Sequence, residues 1–152
     1  MMLDLRFTVR GQAVGAARPR VTRGGAHTFM PAKSVRWEQA VGMAAIEAHS
    51  GGLPYTPPMV DAPCRLIVDV LAARPQRMLR KSSPTRRAWA TCKPDLDNVM
   101  KLVMDGLVKA GIIVDDTRIV ELLATRRYVA AEGGSPTEPP SVTVIVQQIA
   151  NP

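Results

Sequence analysis

The stretch KPDLDNVMKLVMDGLVKAGIIVDDTR, Lys93 to Arg118, decides how the chain is read. Val99, Leu102, Val103, Gly106, Leu107 and Ala110 recur at helical spacing, so the segment predicts an amphipathic helix ending near Ala110. Asp97 or Asn98 stands where a cap belongs, and Gly111 is a natural C-terminal stop. Asp95 and Asp97 flank one residue, so in an extended entry both carboxylates point the same way. Asp97, Lys101 and Asp105 follow at four-residue intervals along one face. Ile112 to Val114 is a short apolar link, after which the chain is expected to bring Asp115-Asp116 back toward the helix's N-terminal end.

Outward from this helix, the patterns alternate between strand and helix. Leu3 to Val9 places Leu3, Leu5 and Phe7 on one side and Asp4, Arg6 and Thr8 on the other, the period of a half-buried strand. Ala32 to His49, entered through Pro31, puts Trp37, Val41, Ala44, Ala45 and Ala48 on one stripe and stops at Ser50-Gly51-Gly52. The Pro-rich run from Gly51 to Pro63 is too broken for regular structure. Cys64 to Leu71 reads as a buried strand with Asp69 inside it. Arg118 to Tyr128 and Ser141 to Ile149 read as strands joined through Gly133-Gly134 and Pro139-Pro140, hence as a C-terminal β-hairpin. The expectation is one α+β domain over residues 1–152: a mixed β-sheet, two principal helices, and basic loops at about 11–27 and 73–93.

Charge gives the partner. The formal charge is +7 and the pI about 10.1, a balance that draws polyanions at long range. From Leu5 to Trp37 every formal charge is positive, including Arg18, Arg20, Arg23 and Lys33; from Val70 to Pro94 Arg74, Arg77, Arg80, Lys81, Arg86, Arg87 and Lys93 repeat the pattern, with Asp69 just outside it. The sign then flips, with Asp95, Asp97, Asp105, Asp115 and Asp116 against only Lys101 and Lys109. No apolar run has the length of a membrane span, and the Met1-Met2-Leu3-Asp4 start carries no secretory n-region, so a cytoplasmic protein is expected. Cys64 and Cys92 are too few for a disulfide framework or a zinc site, and His27 and His49 stand alone.

Grouped carboxylates repel unless a cation is bound, and hard oxygen donors suit magnesium. Basic stretches for phosphates beside an acidic knot fit metal-assisted phosphodiester hydrolysis, with Lys101 able to steady charge on the phosphate. Taken alone, the same acids are equally well read as a helix cap and a turn.

The run Asp95-Leu96-Asp97-Asn98, Lys101, Asp105-Gly106-Leu107, Lys109-Ala110-Gly111 and Asp115-Asp116, with Val120 following, resembles the RusA family of Holliday-junction resolvases. A looser likeness takes in Ala17-Arg18-Pro19-Arg20, Met30-Pro31 and Trp37-Glu38. The resemblance implies a homodimer that nicks two opposing strands of a four-way DNA junction with magnesium, or manganese in its place. It implies catalytic metal ligation by Asp95, Asp97 and Asp116, with Asp115 close to the metal and Lys101 as an essential basic group. Asp105 matches a family acid of open role. The phosphate contacts expected are Arg18, Arg20, Arg23, Lys33, Arg74, Arg77, Arg80, Lys81, Arg86, Arg87 and Lys93, with recognition resting on junction shape. Prophage or phage origin is a further expectation. The rival readings are a branched-DNA-binding protein that keeps the fold without catalysis, and a metal-dependent phosphohydrolase acting on nucleotides.

Overall fold

A computed structural model describes residues 2–25 and 27–152. Strand β1 (Asp4–Arg10) is followed by the two-residue strands β2 (Arg20–Val21) and β3 (Thr28–Phe29), which form a small hairpin, and by helix α1 (Ala32–Ser50). Then come β4 (Cys64–Ala72), the two-residue β5 (Ala88–Trp89), helix α2 (Leu96–Lys109) and β6 (Ile119–Tyr128). A second small hairpin, β7 (Ala131–Glu132) with β8 (Ser135–Pro136), precedes the last strand, β9 (Ser141–Gln148).

The main sheet runs β1-β9-β4-β6-β5. β4 and β6 are parallel and the other neighbours antiparallel, so the mixed α+β class is as expected. The expected pairing of the last two long strands is corrected: β4 lies between β6 and β9, and the Gly133-Gly134 turn closes only the short β7–β8 hairpin. Local turn signals favoured a hairpin, whereas β4 is apolar enough to be buried in the middle of the sheet, with Cys64, Leu66, Val68 and Val70 all inaccessible.

Strand alternation gives the sheet one dry face. Leu5, Phe7 and Val9 of β1, Cys64, Leu66, Val68 and Val70 of β4 and Val142, Val144 and Val146 of β9 meet Trp37, Val41 and Ala45 of α1 and Val99, Leu102, Val103 and Leu107 of α2 in one core. Full burial of each large aliphatic side chain contributes about 2 kcal/mol. The helices cross where Gly42 faces Gly106, close enough that a Cβ on Gly106 would stand 2.9 Å from the Glu38 carbonyl oxygen. Gly51 and Gly111 end the two helices with positive φ, as the sequence predicted. The cap of α2 differs from expectation: Asp95 is the N-cap, Leu96 begins the helix, and no side chain caps it.

Candidate active site

The acidic motif is held by the sheet rather than by its own loop. Arg126 of β6 donates from Nε to the Ala90 carbonyl (3.0 Å) and from Nη1 to the Pro94 carbonyl, while the Ala90 amide donates back to the Arg126 carbonyl (3.1 Å). One guanidinium therefore clamps both ends of the segment that leads into α2. On the other side Ala16 donates to the Asn98 carbonyl (2.8 Å), and a Cβ on Gly15 would lie 2.7 Å from Pro94 Cβ. Asp95 and Asp97 emerge exposed at the first turn, where the positive end of the helix favours carboxylates. Lys93 Nζ sits 2.6 Å from both oxygens of Asp95. Lys101 follows one turn later, exposed.

Two turns beyond Asp97, roughly 12 Å along the helix, lies Asp105. Its carboxyl is held above the usual range, first by burial and then by the charges of Glu38 and Asp116, against the opposing pull of Lys101 and Lys109. Glu38 of α1 is itself buried and accepts from Lys109 Nζ at 2.5 Å. Sequence reading missed it as a site neighbour; its place at the Gly106 crossing, among apolar α1 positions, was the available signal. Asp115 caps the 3-10 turn Asp116–Arg118 and accepts from the Thr117 amide (2.8 Å); hydrogen bonding by Thr117, its side chain first and its amide second, lowers the Asp115 pKa.

The expected return of Asp115-Asp116 toward the helix's first turn is corrected. Ile112 and Ile113 are fully buried, Ile113 bridges to Val60, and Arg118 pairs with Asp61 (2.5 Å), which anchors the turn at the C-terminal end of α2. One chain therefore carries two acidic pairs: Asp95 and Asp97 at the Arg126 end of β6, and Asp115 and Asp116 just before Ile119, where β6 begins. Among the described residues, no three Asp, Glu, His or Cys side chains stand within reach of a single ion.

The basic segment 73–93 is built, not loose. Arg74, expected to contact phosphate, is buried, and its guanidinium donates to the carbonyls of Val129 (2.6 Å), Pro84 (2.5 Å) and Arg86 (2.6 Å). It is a staple whose donors face inward, so it is not a DNA contact. Arg87 forks onto Glu138 (2.8 and 2.5 Å), which also accepts from the Ala130 amide. The Ala131 amide donates to Thr85, and the backbone of Gly134 packs on Leu79. Arg77, Arg80, Lys81 and Arg86 are left exposed on this platform, as are Arg18, Arg20, Arg23 and Lys33 on the N-terminal arm and Lys93 beside the acidic pair.

Among the described residues, no helix is long and apolar enough to cross a membrane. A search of curated proteins found no match. The family model described as endodeoxyribonuclease RusA matches residues 10–136, a span that takes in both basic stretches, both helices, the acidic motif and β6. The chain belongs to the RusA endodeoxyribonucleases, a Holliday-junction resolvase family, and is a crossover junction endonuclease.

Proposed function

We propose that this chain is a cytoplasmic, magnesium-dependent resolvase that acts as a homodimer and nicks opposing strands of a four-way junction in pairs. The observation that carries the reading is the placement of two exposed acidic pairs at the two ends of one unpaired strand edge.

β5 covers β6 only at Arg127 and Tyr128, so the outer edge of β6 from Ile119 to Thr125 has no strand partner among the described residues. Val120, Leu122 and Leu123 on this stretch are 59%, 51% and 58% exposed. A long apolar edge of this kind invites pairing. Antiparallel pairing of two β6 edges about a two-fold axis lays Ile119 of one copy toward the Arg126 end of the other. Asp115 and Asp116 of one copy then approach the partner subunit's Asp95 and Asp97, and two equivalent sites arise, as two symmetric cuts require.

The donors fit a hard divalent cation: all are carboxylate oxygens, and neither a thiol nor an imidazole lies among them. Asp95, Asp97 and Asp116 would hold it, with Asp115 beside it. Such an ion, when bound, supplies an activated water and neutralises charge on the phosphate. The chain's own groups do the rest. Arg77, Arg80, Lys81 and Arg86 bind phosphates on the stapled platform and orient the strand. Lys101, between the acidic turn and Asp105, offsets negative charge on the scissile phosphate. Lys93, 2.6 Å from both Asp95 oxygens, orients that carboxylate.

The test is cleavage of a synthetic four-way junction and a matched duplex with magnesium, comparing wild type, Asp97→Asn and Leu122→Lys. Paired nicks by wild type alone, binding retained by Asp97→Asn, and a monomer by sedimentation for Leu122→Lys are expected. Junction binding by wild type without any nicking would move the protein to the non-catalytic class. Dimers and paired cuts in Leu122→Lys would overturn the β6 interface.

A further inference from the structure

Trp89 is a large apolar side chain left 72% exposed in the middle of a cationic surface. Its exposure follows from the alternation of the segment. Ala90 is buried in a small cluster with Ala72 and Tyr128, Ala88 is half-buried, and the residue between them must face the other way. The indole is not carried on a loose loop. Trp89 pairs with Arg127 across β5–β6, and the next residue, Ala90, exchanges hydrogen bonds with Arg126 in both directions. The same Arg126 guanidinium holds the Pro94 carbonyl, one residue before Asp95. One guanidinium thus holds the carbonyls of Ala90 and Pro94, the residues next to Trp89 and Asp95 in the chain.

We infer that Trp89 is a specificity-determining residue whose indole stacks on a nucleobase unstacked at the branch point. The inference rests on the junction-endonuclease reading and adds to it the group that tells branched from linear DNA. Arg87 and Arg127 beside the indole are paired with Glu138 and Asp69, but exposed Arg86 precedes it in sequence and exposed Arg77, Arg80 and Lys81 share its platform, so a polyanion is what this surface attracts. A flat ring among cations is the combination that binds single-stranded nucleic acid, because every base has a π-face. Within a continuous duplex each base face is already covered by its neighbours. At a four-way branch the stack is interrupted, and a face becomes available beside the phosphates that the acidic pair addresses. Phosphate contacts sense the branch only through its shape, and an uncovered base face is a second difference between junction and duplex.

The experiment measures affinity for a four-way junction and for duplex in calcium, which permits binding without turnover, using wild type, Trp89→Ala and Trp89→Phe. A junction carrying 2-aminopurine at the branch point reports stacking directly. The chain has two tryptophans and Trp37 is buried, so quenching of exposed indole emission reports on Trp89. Trp89→Ala is expected to lose about 5- to 100-fold in junction affinity, the range of one base–aromatic stack, with duplex affinity and the salt slope unchanged. Trp89→Phe should stay within about threefold of wild type, since a smaller ring still stacks. Junction affinity unchanged in Trp89→Ala, or equal losses on junction and duplex, would overturn the inference. So would a shift of Trp89→Ala to monomer in sedimentation, because the indole would then be a subunit contact. Wild type that does not discriminate junction from duplex would instead defeat the reading on which the inference rests.

Discussion

Gly106 sits where α1 and α2 touch, and its replacement by alanine separates two opposing effects cleanly. In an exposed helix the change would stabilise by about 1 kcal/mol, because glycine has more backbone freedom to lose on folding. Here the added Cβ meets the Glu38 carbonyl oxygen at 2.9 Å, Val41 Cγ1 at 3.0 Å and Val41 Cβ at 3.1 Å. Relaxed carbon contacts lie at about 3.5–4.0 Å, so several tenths of an ångström must be found. None of the three atoms is the free end of a flexible chain: one is helix backbone and two belong to a fully buried β-branched residue. The helices must therefore part, at a cost of about 3 kcal/mol for an overpacked core. Subtracting the propensity gain leaves a net loss of about 2 kcal/mol, or about 4–8 °C in Tm for a chain of this size. Gly42→Ala is the internal control: its Cβ would meet the Gly106 carbonyl at 3.3 Å and Ala110 Cβ at 3.5 Å, contacts a small adjustment absorbs. That variant should remain within about 1 kcal/mol of wild type. Thermal and urea unfolding followed by circular dichroism measure both. A Gly106→Ala protein as stable as wild type would refute the argument that this crossing is set by backbone contact.

Two further expectations concern the basic platform. Arg74→Ala strips a charged donor from three carbonyls and should cost about 3 kcal/mol in urea unfolding; it should weaken junction binding while leaving the salt slope unaltered, whereas Arg80→Ala should flatten that slope by about 0.9. The Arg87 guanidinium beside Glu138 lowers its carboxyl from 4.5 to about 2, aided by the Ala130 amide and opposed by burial. A depressed acid stabilises the fold fully above its unfolded pKa and ceases to do so as pH falls through the folded one. Stability measured from pH 5 to pH 2 should therefore fall by about 2 kcal/mol more in wild type than in Glu138→Gln, after discounting for the partly exposed fork; parallel profiles would exclude the fork as a clamp.

Local patterns were legible in the sequence because their causes are local. The alternation of Leu5, Phe7 and Val9, the stripe of α2 and the stops at Gly51 and Gly111 all depend on neighbours within a turn or two. The family motif from Asp95 to Asp116 was legible for the same reason. What could not be read was long-range. Nothing near Cys64–Ala72 states that this strand separates β6 from β9, since the partners lie about 50 and 75 residues away and compete on burial rather than on turn chemistry. Arg74 looks like its neighbours Arg77 and Arg80 in composition; only the carbonyls of Val129, Pro84 and Arg86 distinguish it. The acidic pairs were expected together because charge pattern carries no information about which end of α2 each one occupies.

The position of β9 has a consequence for synthesis. It is the last strand of the chain, yet it lies between β1 and β4 and supplies the only strand partner β1 has in the main sheet among the described residues. A nascent chain therefore holds every acidic and basic group of the site before it holds the strand that joins its first segment to the rest. The sheet is completed only when Ser141–Gln148 inserts between β1 and β4, and its pairing with β1 spans nearly the whole described chain, a non-local closure of the kind that slows folding.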